Sequence, residues 1–584
     1  MATSPEGPGP GQPYYIRMEC VNFSAVLSDT EDLSTIRGSG LAMLHAVEYA
    51  AKALKELTRG AVEQVTTGAS VGVFRVSAAD QADAWTVARN LRARLTAHAP
   101  AAANDEESEP ARPLPGAIDE AELLRVLDHL SILTAACAAT ADFRADMETL
   151  LALIRWQQQQ APSLVLPAAG TSWDKTKLIC PNDHTRLADT YIFRRKDEGP
   201  GRYPASRSVR DRHAYGRHYK QTLYDRVIDG IPYLKDDGSK RRKRAYADEL
   251  ADPARQPDKA LDGKMAALYA DELADLARRL GAPLDGKMAV LYADGNRFSE
   301  QIRDLVKASD TPIETQKAID KALQGWRSKL LEKVVKLIEL DDRDYPLTRI
   351  ETLLWGGDEL IWVLPAWRGW EVAALFAEHI RNEPVEGKGR SMDVPEKDGW
   401  SMNMSHGLGM VFCHYDAPIN GIRTLAKNLA DKVAKAERTS TRLAVMVLES
   451  FDAVGQDLEA HLTRTYGTAG ITPSAMCLTA PQGASWNDVP CAVAKMKEHL
   501  PRRRLHALAD ALLRHGPVTT ETDRARGRFW RDLDAPAEAA IREAAETLGR
   551  CWGFDAQGTD ARLWLHLDML WDYLAPDVQD MAEV

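Results

Sequence analysis

Two acidic motifs beside apolar runs could hold divalent metal ions. Asp294 ends the apolar run KMAVLYAD and is followed by Gly295, and Gly356-Gly357-Asp358-Glu359 joins two further apolar runs. A glycine-rich turn between two apolar runs is typical of a tight hairpin. Nucleotidyl transfer uses two metal ions held roughly 4 Å apart. We therefore predict Asp294, Asp358 and Glu359 as catalytic acids and, together with Gly295, as the metal site.

The ion that these acids favour is Mg²⁺ or Mn²⁺. Magnesium prefers oxygen ligands and usually takes only one or two carboxylates, with water and phosphate completing its shell. Asp358 and Glu359 point to opposite faces of a strand, so we expect only one of them to face a metal held by Asp294. An acidic turn or a strand-terminal aspartate is commonplace alone, and the prediction depends on both motifs occurring in order.

Residues next to these acids are predicted to bind a nucleotide. Asn296, Arg297 and Phe298 begin a predicted helix, whose first backbone amides and dipole attract phosphate. Gly356 and Gly357 allow the backbone to approach a ligand closely.

Composition bounds the class of protein. The 584 residues suffice for two to four domains. A net charge of -11 argues against non-specific nucleic-acid binding by the whole surface, although a local basic groove is compatible with it. The seven cysteines are scattered, which indicates reduced thiols, and no apolar run is long enough for a signal peptide or a membrane span. These features predict a soluble, cytoplasmic protein with no membrane partner.

Hydrophobic periodicity predicts an α+β fold with helical and irregular insertions. Strand and helix patterns alternate in residues 14–99 and again in residues 284–450, where a hairpin stands at the centre. Four tryptophans are expected in the core or at interfaces: Trp355, Trp362, Trp367 and Trp370. The predicted divisions are a flexible tail (1–13), a first domain (14–99), a linker plus helical segment (100–160), an irregular basic insert (161–283), a second domain (284–450) and a C-terminal helical domain (451–584).

A repeat of 23 residues lies in the insert. Tyr-Ala-Asp begins at Tyr246, Tyr269 and Tyr292, and only the third copy continues into the glycine-containing turn after Asp294. A solenoid needs three or more complete stacking units, whereas only residues 261–273 and 284–296 match over more than Tyr-Ala-Asp. We therefore interpret the repeat as a tandem duplication in a tolerant segment.

Three further features of the insert leave alternatives open. Cys180, His184, His213 and His218 are candidate zinc ligands, although structural zinc usually takes cysteine pairs at short spacing. Residues 202–221 are basic with interleaved tyrosines. This strip could bind a nucleic-acid backbone while the tyrosines stack on bases, or it could be a solvated loop that packs near the domains. The run 240–244 is a solvated basic loop or a phosphate contact.

The two acidic motifs together resemble a known family. They are similar to the palm domain shared by GGDEF-type diguanylate cyclases and the large cyclase subunit of type III CRISPR effector complexes. In both, the first aspartate and the hairpin acids bind the metals. The CRISPR family usually has aspartate where this chain has Glu359. Residues 405–419, with His414 and Pro418, resemble a strand and turn of that subunit. Residues 429–438 resemble its triphosphate helix, which nominates Lys435, with Asp431 ahead of it.

The N-terminal region resembles the inactive first palm of the same family. Residues 32–44 resemble the helix start of that domain. Thr67-Gly68-Ala69-Ser70 stands where an active palm has its acidic hairpin, and residues 19–22 stand where it has the first metal aspartate. The resemblance implies a degenerate palm that contributes a second nucleotide pocket. Its candidate residues are Gly38, Ser39, Gly68 and Ser70.

The resemblance implies two ferredoxin-like palm domains, the second active, with a C-terminal helical bundle. The implied activity is a Mg-dependent nucleotidyltransferase that makes a cyclic oligonucleotide, with oligoadenylate favoured, or a dinucleotide second messenger. NTPs, ATP above all, would be substrates, pyrophosphate would be released, and the setting would be antiviral defence. Implied partners are RNA or CRISPR-type subunits, and oligomers are compatible. One alternative is a non-catalytic nucleotide- or RNA-binding palm scaffold, and another is a diguanylate-type cyclase.

Overall fold

A computed structural model describes most of the chain. The described residues are 11–21, 23–68, 70–96, 118–160, 179–196, 199–228, 268–269, 276–277, 282–339, 347–387, 399–449, 457–480, 483–555 and 560–575. The predicted linker at 100–116, the basic run 240–244 and the first repeat copy at Tyr246 lie outside them.

The first sheet has four antiparallel strands in the order β2-β3-β1-β4. Its elements are β1 (Gln12–Cys20), α1 (Phe23–Ser28), α2 (Leu33–Thr58), β2 (Glu63–Thr67), β3 (Val71–Ala78), α3 (Gln81–Leu95), α4 (Glu120–Leu127), β4 (Ile132–Ala138) and α5 (Phe143–Gln160).

Strand β1 shows why this sheet is covered on both faces. Ile16 and Met18 pack into one core with α2 and α3, whereas Tyr15 packs into the other with Phe143 of α5. Successive side chains of a strand point to opposite faces, and both sets are buried. Two predictions are corrected here. The strand begins at Gln12, inside the predicted tail, and Ile132–Ala138 forms a strand where a helix was predicted.

The insert contains regular structure where an irregular segment was predicted. Strands β5 (Thr190–Lys196) and β6 (Gly199–Ala205) form a hairpin, and α6 (Arg207–Ile228) packs along α2. A two-residue strand, β7 (Leu268–Tyr269), contains the tyrosine of the second repeat copy.

The second sheet has six strands in the order β10-β11-β8-β14-β15-β16. Its first elements are β8 (Lys287–Gly295), α7 (Phe298–Lys307), α8 (Pro312–Glu339), β9 (Leu347–Thr348), β10 (Glu351–Gly356), β11 (Glu359–Pro365) and α9 (Ala366–Asn382). Then follow β12 (Val385–Gly387), β13 (Trp400–Met402), β14 (His406–His414), α10 (Ile419–Asn428) and β15 (Arg442–Val447). The short strands β9, β12 and β13 lie outside the sheet, and only β14 and β15 pair in parallel within it.

The two sheets share one order of elements. In each, a first strand and its helices lead to a hairpin that pairs beside that strand, and a later strand pairs on its other side. The pattern is β-α-β-β-α-β. The overall architecture is α+β.

Helices dominate the C-terminal part. They are α11 (Leu458–Tyr466), α12 (Val489–His499), α13 (Arg502–His515), α14 (Thr520–Trp530), α15 (Ala535–Trp552) and α16 (Ala561–Leu570), whereas β16 (Leu478–Thr479) extends the second sheet. The last five pack against one another, and Trp486 and Trp552 pack on Trp370 of α9. Trp362, Trp367 and Trp370 are buried, as predicted, and Trp355 is partly buried. No helix in the described part of the chain has the length and apolarity that crossing a bilayer requires.

A buried ion pair joins the first sheet to the second. Arg37 of α2 donates to both carboxylate oxygens of Glu351 on β10, at 2.7 and 2.5 Å, and to the carbonyl of Gly216 on α6 at 3.0 Å. Both charged side chains are only 2% exposed. A buried charge without its partner is costly, so this contact fixes how α2, α6 and β10 sit together.

Candidate metal and nucleotide site

Asp294 lies at the carboxyl end of β8, in the middle of the second sheet. It pairs in register with Glu359 on one side and with Gly407 on the other. Lys435 forms an ion pair with its carboxylate, and the same Nζ donates to the carbonyl of Gly295 at 3.1 Å. Burial raises the pKa of Asp294, and the hydrogen bond from Lys435 opposes that change.

Asp358 occupies the turn of the predicted hairpin and reaches back to Asp294. Gly356 pairs directly with Glu359, so Gly357 and Asp358 form the turn, and Gly357 has a φ of +58° that suits glycine. Burial, and next the charge of Asp294, raises the pKa of Asp358 to about 6. The structure therefore brings Asp294 and Asp358 together, as predicted from the two motifs.

Gly295 gives the two carboxylates room to meet. A Cβ on this residue would lie 2.9 Å from the Cβ of Asp358, 3.2 Å from its Oδ2 and 3.0 Å from the ring of Phe298. Real Cβ atoms do not approach this closely without a shift of their neighbours. Glycine at this position is thus what lets the hairpin close over the end of β8.

Glu359 belongs to a neighbouring polar cluster. It accepts a hydrogen bond from Tyr292 at 2.9 Å and lies 3.5 Å from Lys427, which also donates to Tyr292 at 2.9 Å and lies 3.7 Å from Asp431. Burial and the charge of Glu359 raise the pKa of Tyr292. Sequence reasoning did not find Tyr292 or Lys427 as members of the site, and the role of Glu359 as a metal ligand stays a prediction.

The carboxylate pair fits Mg²⁺ or Mn²⁺. In the described part of the chain, no group of three or more His, Cys, Asp or Glu side chains is placed to hold a metal ion. Two aspartates are nevertheless the usual protein contribution to a magnesium site, because phosphate and water supply the remaining oxygens. The mutual repulsion that raises the pKa of Asp358 is also what a divalent cation between the carboxylates would relieve.

The start of α7 provides backbone amides next to the acids. Arg297 precedes the helix with a φ of +53°, and no side chain caps the first turn. The side chain of Asn296 is buried and donates to Ser405 and to the carbonyl of Ser440, and Phe298 is buried as well. Arg297 instead faces solvent and pairs with Glu300. The backbone, rather than these side chains, is therefore what this turn offers to a phosphate.

Lys435 reaches the site through an irregular helix end. The resemblance implied a helix over residues 429–438, but α10 ends at Asn428 and continues as a π turn (Leu429–Val433) and a 3-10 turn (Ala434–Ala436). Two glycines of β14 allow this segment to pack closely against the strand. A Cβ on Gly407 would lie 2.5 Å from Cγ of Lys435, and one on Gly409 would lie 1.9 Å from the carbonyl of Ala426. His414 and Pro418, by contrast, mark the far end of β14 and the start of α10.

Helix packing contradicts part of the predicted second nucleotide pocket. A Cβ on Gly38 would lie 1.8 Å from the carbonyl of Arg212, and one on Gly216 would lie 1.9 Å from the carbonyl of Ser34. Ser39 is fully buried and donates to the carbonyl of Thr35. Gly38 and Ser39 therefore form a tight crossing of α2 with α6, with no space for a nucleotide. Gly68 and Ser70 lie in the turn between β2 and β3, where their role stays a prediction.

The candidate zinc ligands are not brought together. His213 contacts Asp32 at 2.8 Å and His218 contacts Glu122 at 3.1 Å, whereas Cys180 is buried and His184 is exposed. Among the described residues no group of three or more His, Cys, Asp or Glu side chains is arranged to hold a metal ion, so these four residues do not form the predicted zinc site in this structure.

The basic strip at 202–221 is also largely interior. Arg212 is fully buried and pairs with Asp29 at 2.9 and 3.0 Å, and Tyr215 and Tyr219 pack on His45. These aromatic rings are core residues of the α2–α6 contact and are not available for stacking on bases.

Comparisons with known proteins give structural relatives only. No family model matches the sequence, and no curated protein matches it. Solved structures of Csm1 do match. The chain is similar to Csm1. The apo Csm1-Csm4 cassette has 12% identity and a TM-score of 0.45, with 96% of this chain and 70% of that chain covered.

Two further Csm1 structures show the same degree of likeness. Csm1 from T. onnurineus has 11% identity and a TM-score of 0.44 over 95% of this chain and 70% of that one. The Csm1-Csm4 subcomplex of the type III-A CRISPR-Csm interference complex has 11% identity and a TM-score of 0.46 over 96% and 70%.

Proposed function

We propose that this protein is a divalent-metal-dependent nucleotidyltransferase that joins NTPs, ATP above all, into a cyclic oligonucleotide or dinucleotide second messenger. The main support is that Asp358 packs against the backbone of Gly295, close to Asp294, and that Lys435 forms an ion pair with Asp294. Two acids and an amine around an uncapped helix start suit a triphosphate with its metal ions.

The proposal gives the two sheets different roles. The second sheet, within residues 284–450, would be the active palm, because it contains Asp294 and the hairpin acids. The first, in residues 14–99 with β4 and α5 added, would be a degenerate palm, because Thr67-Gly68-Ala69-Ser70 at the turn from β2 to β3 contains no carboxylate, whereas the hairpin of the second sheet contains Asp358 and Glu359. Residues 451–584 would form a C-terminal helical domain.

Each residue of the site has a distinct role in this proposal. Asp294 and Asp358 would hold Mg²⁺ or Mn²⁺, with Glu359 as an additional ligand or as an anchor of the Tyr292 cluster. The metal supplies positive charge that orients and neutralises the triphosphate. Lys435, which already contacts an anion, would bind a phosphate oxygen in the same way. The amides after Asn296 would hold the remaining phosphate oxygens.

The proposed reaction is a nucleophilic substitution at phosphorus. The 3′-oxygen of one nucleotide bonds to the α-phosphorus of another, the bond from that phosphorus to the bridging oxygen breaks, and pyrophosphate leaves. The hydroxyl proton passes to solvent. Repeating this step lengthens the oligomer. The ring closes when the terminal 3′-oxygen attacks the α-phosphorus of the triphosphate at the other end of the same oligomer, and pyrophosphate leaves again.

Product analysis tests the proposal directly. Purified full-length protein would be incubated with MgCl₂ and an equimolar NTP mixture, with and without RNA, and the products identified by mass spectrometry. We expect cyclic products, which Asp294→Asn and Asp358→Asn abolish while the exposed control Asp304→Asn retains them. The proposal is wrong if no oligonucleotide forms under any condition, or if Asp358→Asn produces as much as the unsubstituted protein. A product containing only guanosine would identify a diguanylate-type cyclase instead.

One observation favours a second candidate, a nucleotide- or RNA-binding scaffold of a CRISPR-type complex. Lys435 pairs with Asp294, and Lys427 with Tyr292 lies at Glu359, so two of the three acids have internal partners. Tight ATP binding that is equal with and without Mg²⁺, together with no turnover, would select this candidate.

A further inference from the structure

One face of α8 joins the first sheet to the hairpin that contains Asp358. Asp320, Gln324 and Arg327 follow one another at intervals of four and three residues, so their side chains share a face of the helix. The seven-residue separation of the outer two corresponds to roughly 10 Å along the helix axis. The two ends of this face contact different sheets.

The N-terminal end holds the turn from β2 to β3. Asp320 accepts hydrogen bonds from the hydroxyl of Thr66 at 3.1 Å and from the amide and hydroxyl of Thr67 at 2.7 and 3.1 Å. Gln324 donates to the Thr67 hydroxyl at 2.9 Å. These four bonds fix the position of α8 relative to the first sheet.

The C-terminal end holds the tip of the hairpin. Arg327 donates from Nη1 to the carbonyl of Gly357, and its guanidinium lies 6.0 Å from the ring centre of Trp355. Gly357 immediately precedes Asp358, and a Cβ on it would meet nothing within 4 Å. Packing therefore gives the tip little support on that side, and the bond from Arg327 sets the direction in which Asp358 leaves the turn.

Trp326, which lies between Gln324 and Arg327 in the sequence, packs α8 against the second sheet. Trp326 donates to the carbonyl of Glu383 at 3.0 Å and stacks on His406, with 5.7 Å between ring centres and 7° between planes. His406 pairs in register with Gly295 on β8. The helix thus contacts β14 on one side of β8 and the hairpin on the other.

We propose that Asp320, Gln324 and Arg327 are positioning residues, through which α8 couples the β2–β3 turn of the first sheet to the aim of Asp358. The inference rests on the proposed function, since it treats Asp358 as a metal ligand. It predicts that a neutral change at Thr67, which touches no reacting atom, weakens metal binding at Asp358.

Binding of Mn²⁺ alone to the full-length protein, measured by calorimetry, tests the coupling. The variants keep charge constant, because removing the Arg327 cation would strengthen metal binding by electrostatics and hide the positioning effect. Arg327→Lys should weaken Mn²⁺ binding about fivefold, the effect of one hydrogen bond, and Thr67→Val about threefold. The double variant should bind no more weakly than Arg327→Lys alone, since the turn then has no path to the hairpin. Lys321→Arg, at an exposed position on another face of α8, keeps the charge and should leave the Mn²⁺ affinity unchanged.

Three outcomes separate the possible failures. Unchanged affinity in both single variants, with a large loss in Asp358→Asn, overturns the coupling and leaves the proposed function standing. Strictly additive losses in the double variant also overturn the coupling through α8. Unchanged affinity in Asp358→Asn overturns the metal site itself. Should Arg327→Lys not fold, Gln324→Leu, which is also neutral and removes a bond to Thr67, takes its place with the same expected loss as Thr67→Val.

Discussion

Replacing Asp358 with asparagine should stabilise the metal-free protein. Burial and the neighbouring charge of Asp294 raise the pKa of Asp358 from an ordinary 3.8 to about 6. A tenfold change in a proton-binding constant is worth roughly 1.4 kcal/mol, so ionising this carboxyl in the folded state costs at most about 3 kcal/mol. Partial solvent access reduces that cost, and we expect Asp358→Asn to raise the free energy of unfolding by about 1–2 kcal/mol at pH 7.5.

The sign of the pH dependence follows from the same raised pKa. Because the folded-state pKa lies above the unfolded-state value, the folded protein holds more protons between about pH 4 and pH 6. The stability of the unsubstituted protein therefore falls as pH rises through that window, and the deficit is complete above pH 6. The variant has no such carboxyl, so its advantage should be about half of the full value at pH 5 and complete at pH 7.5.

Urea unfolding in EDTA at pH 5.0 and 7.5 measures this difference, with the exposed substitution Asp304→Asn as the matched control. Adding Mg²⁺ should reverse the ranking, because a ligand of the folded state stabilises only the protein that binds it. The reasoning is refuted if Asp358→Asn is less stable than the unsubstituted protein at pH 7.5 in EDTA. An advantage of equal size at both pH values would refute it as well.

Three other substitutions test separate parts of the structure. Lys435→Met should weaken ATP binding about tenfold or more in calorimetry, because a charge-assisted contact is lost; unchanged affinity would remove Lys435 from the site. Gly295→Ala should lower Mn²⁺ affinity by at least about tenfold, since its Cβ would lie 2.9 Å from Asp358; the control Gly325→Ala, where a Cβ meets nothing, should keep the affinity and add up to about 1 kcal/mol of stability. Arg37→Met should lower the free energy of unfolding by about 3 kcal/mol, because the buried Glu351 loses its two hydrogen bonds from Arg37 and keeps only Lys220, at 3.4 Å, as a cationic partner; a loss below 1 kcal/mol would show that the pair is not important for assembly.

The parts of the fold that the sequence predicted well are those with local signals. Strand β8 extends the apolar run KMAVLYAD by one residue, and β10 and β11 meet at the Gly-Gly-Asp-Glu turn as predicted, because apolar runs and glycine turns specify these strands locally. The occurrence of both motifs in order predicted that Asp294 and Asp358 lie close together. In the structure β8 and β11 are adjacent strands, which brings the two residues together.

The missed features depend on contacts distant in sequence. Strand β4 is buried on both faces and lies among helices, so its short apolar run has no alternation to distinguish it from a helix. Buried basic residues of α6 find partners that are distant in sequence, as Arg212 does in Asp29, 183 positions upstream. A charge pattern that looks solvated in the sequence is thus neutralised inside the fold. Gly38 has a packing role for the same reason, since its neighbour Gly216 lies in the insert.

The π turn after α10 gives the site a dependence on chain length. A π turn contains one residue more than an α-helical turn, and one residue rotates the following chain by roughly 100° about a helix axis. Deleting a single residue between Leu429 and Val433 would restore regular helix and carry the Lys435 side chain away from Asp294. The distance of this amine from the acids is therefore set by an insertion in the backbone, and homologous proteins without that residue would need a different cation at the same place.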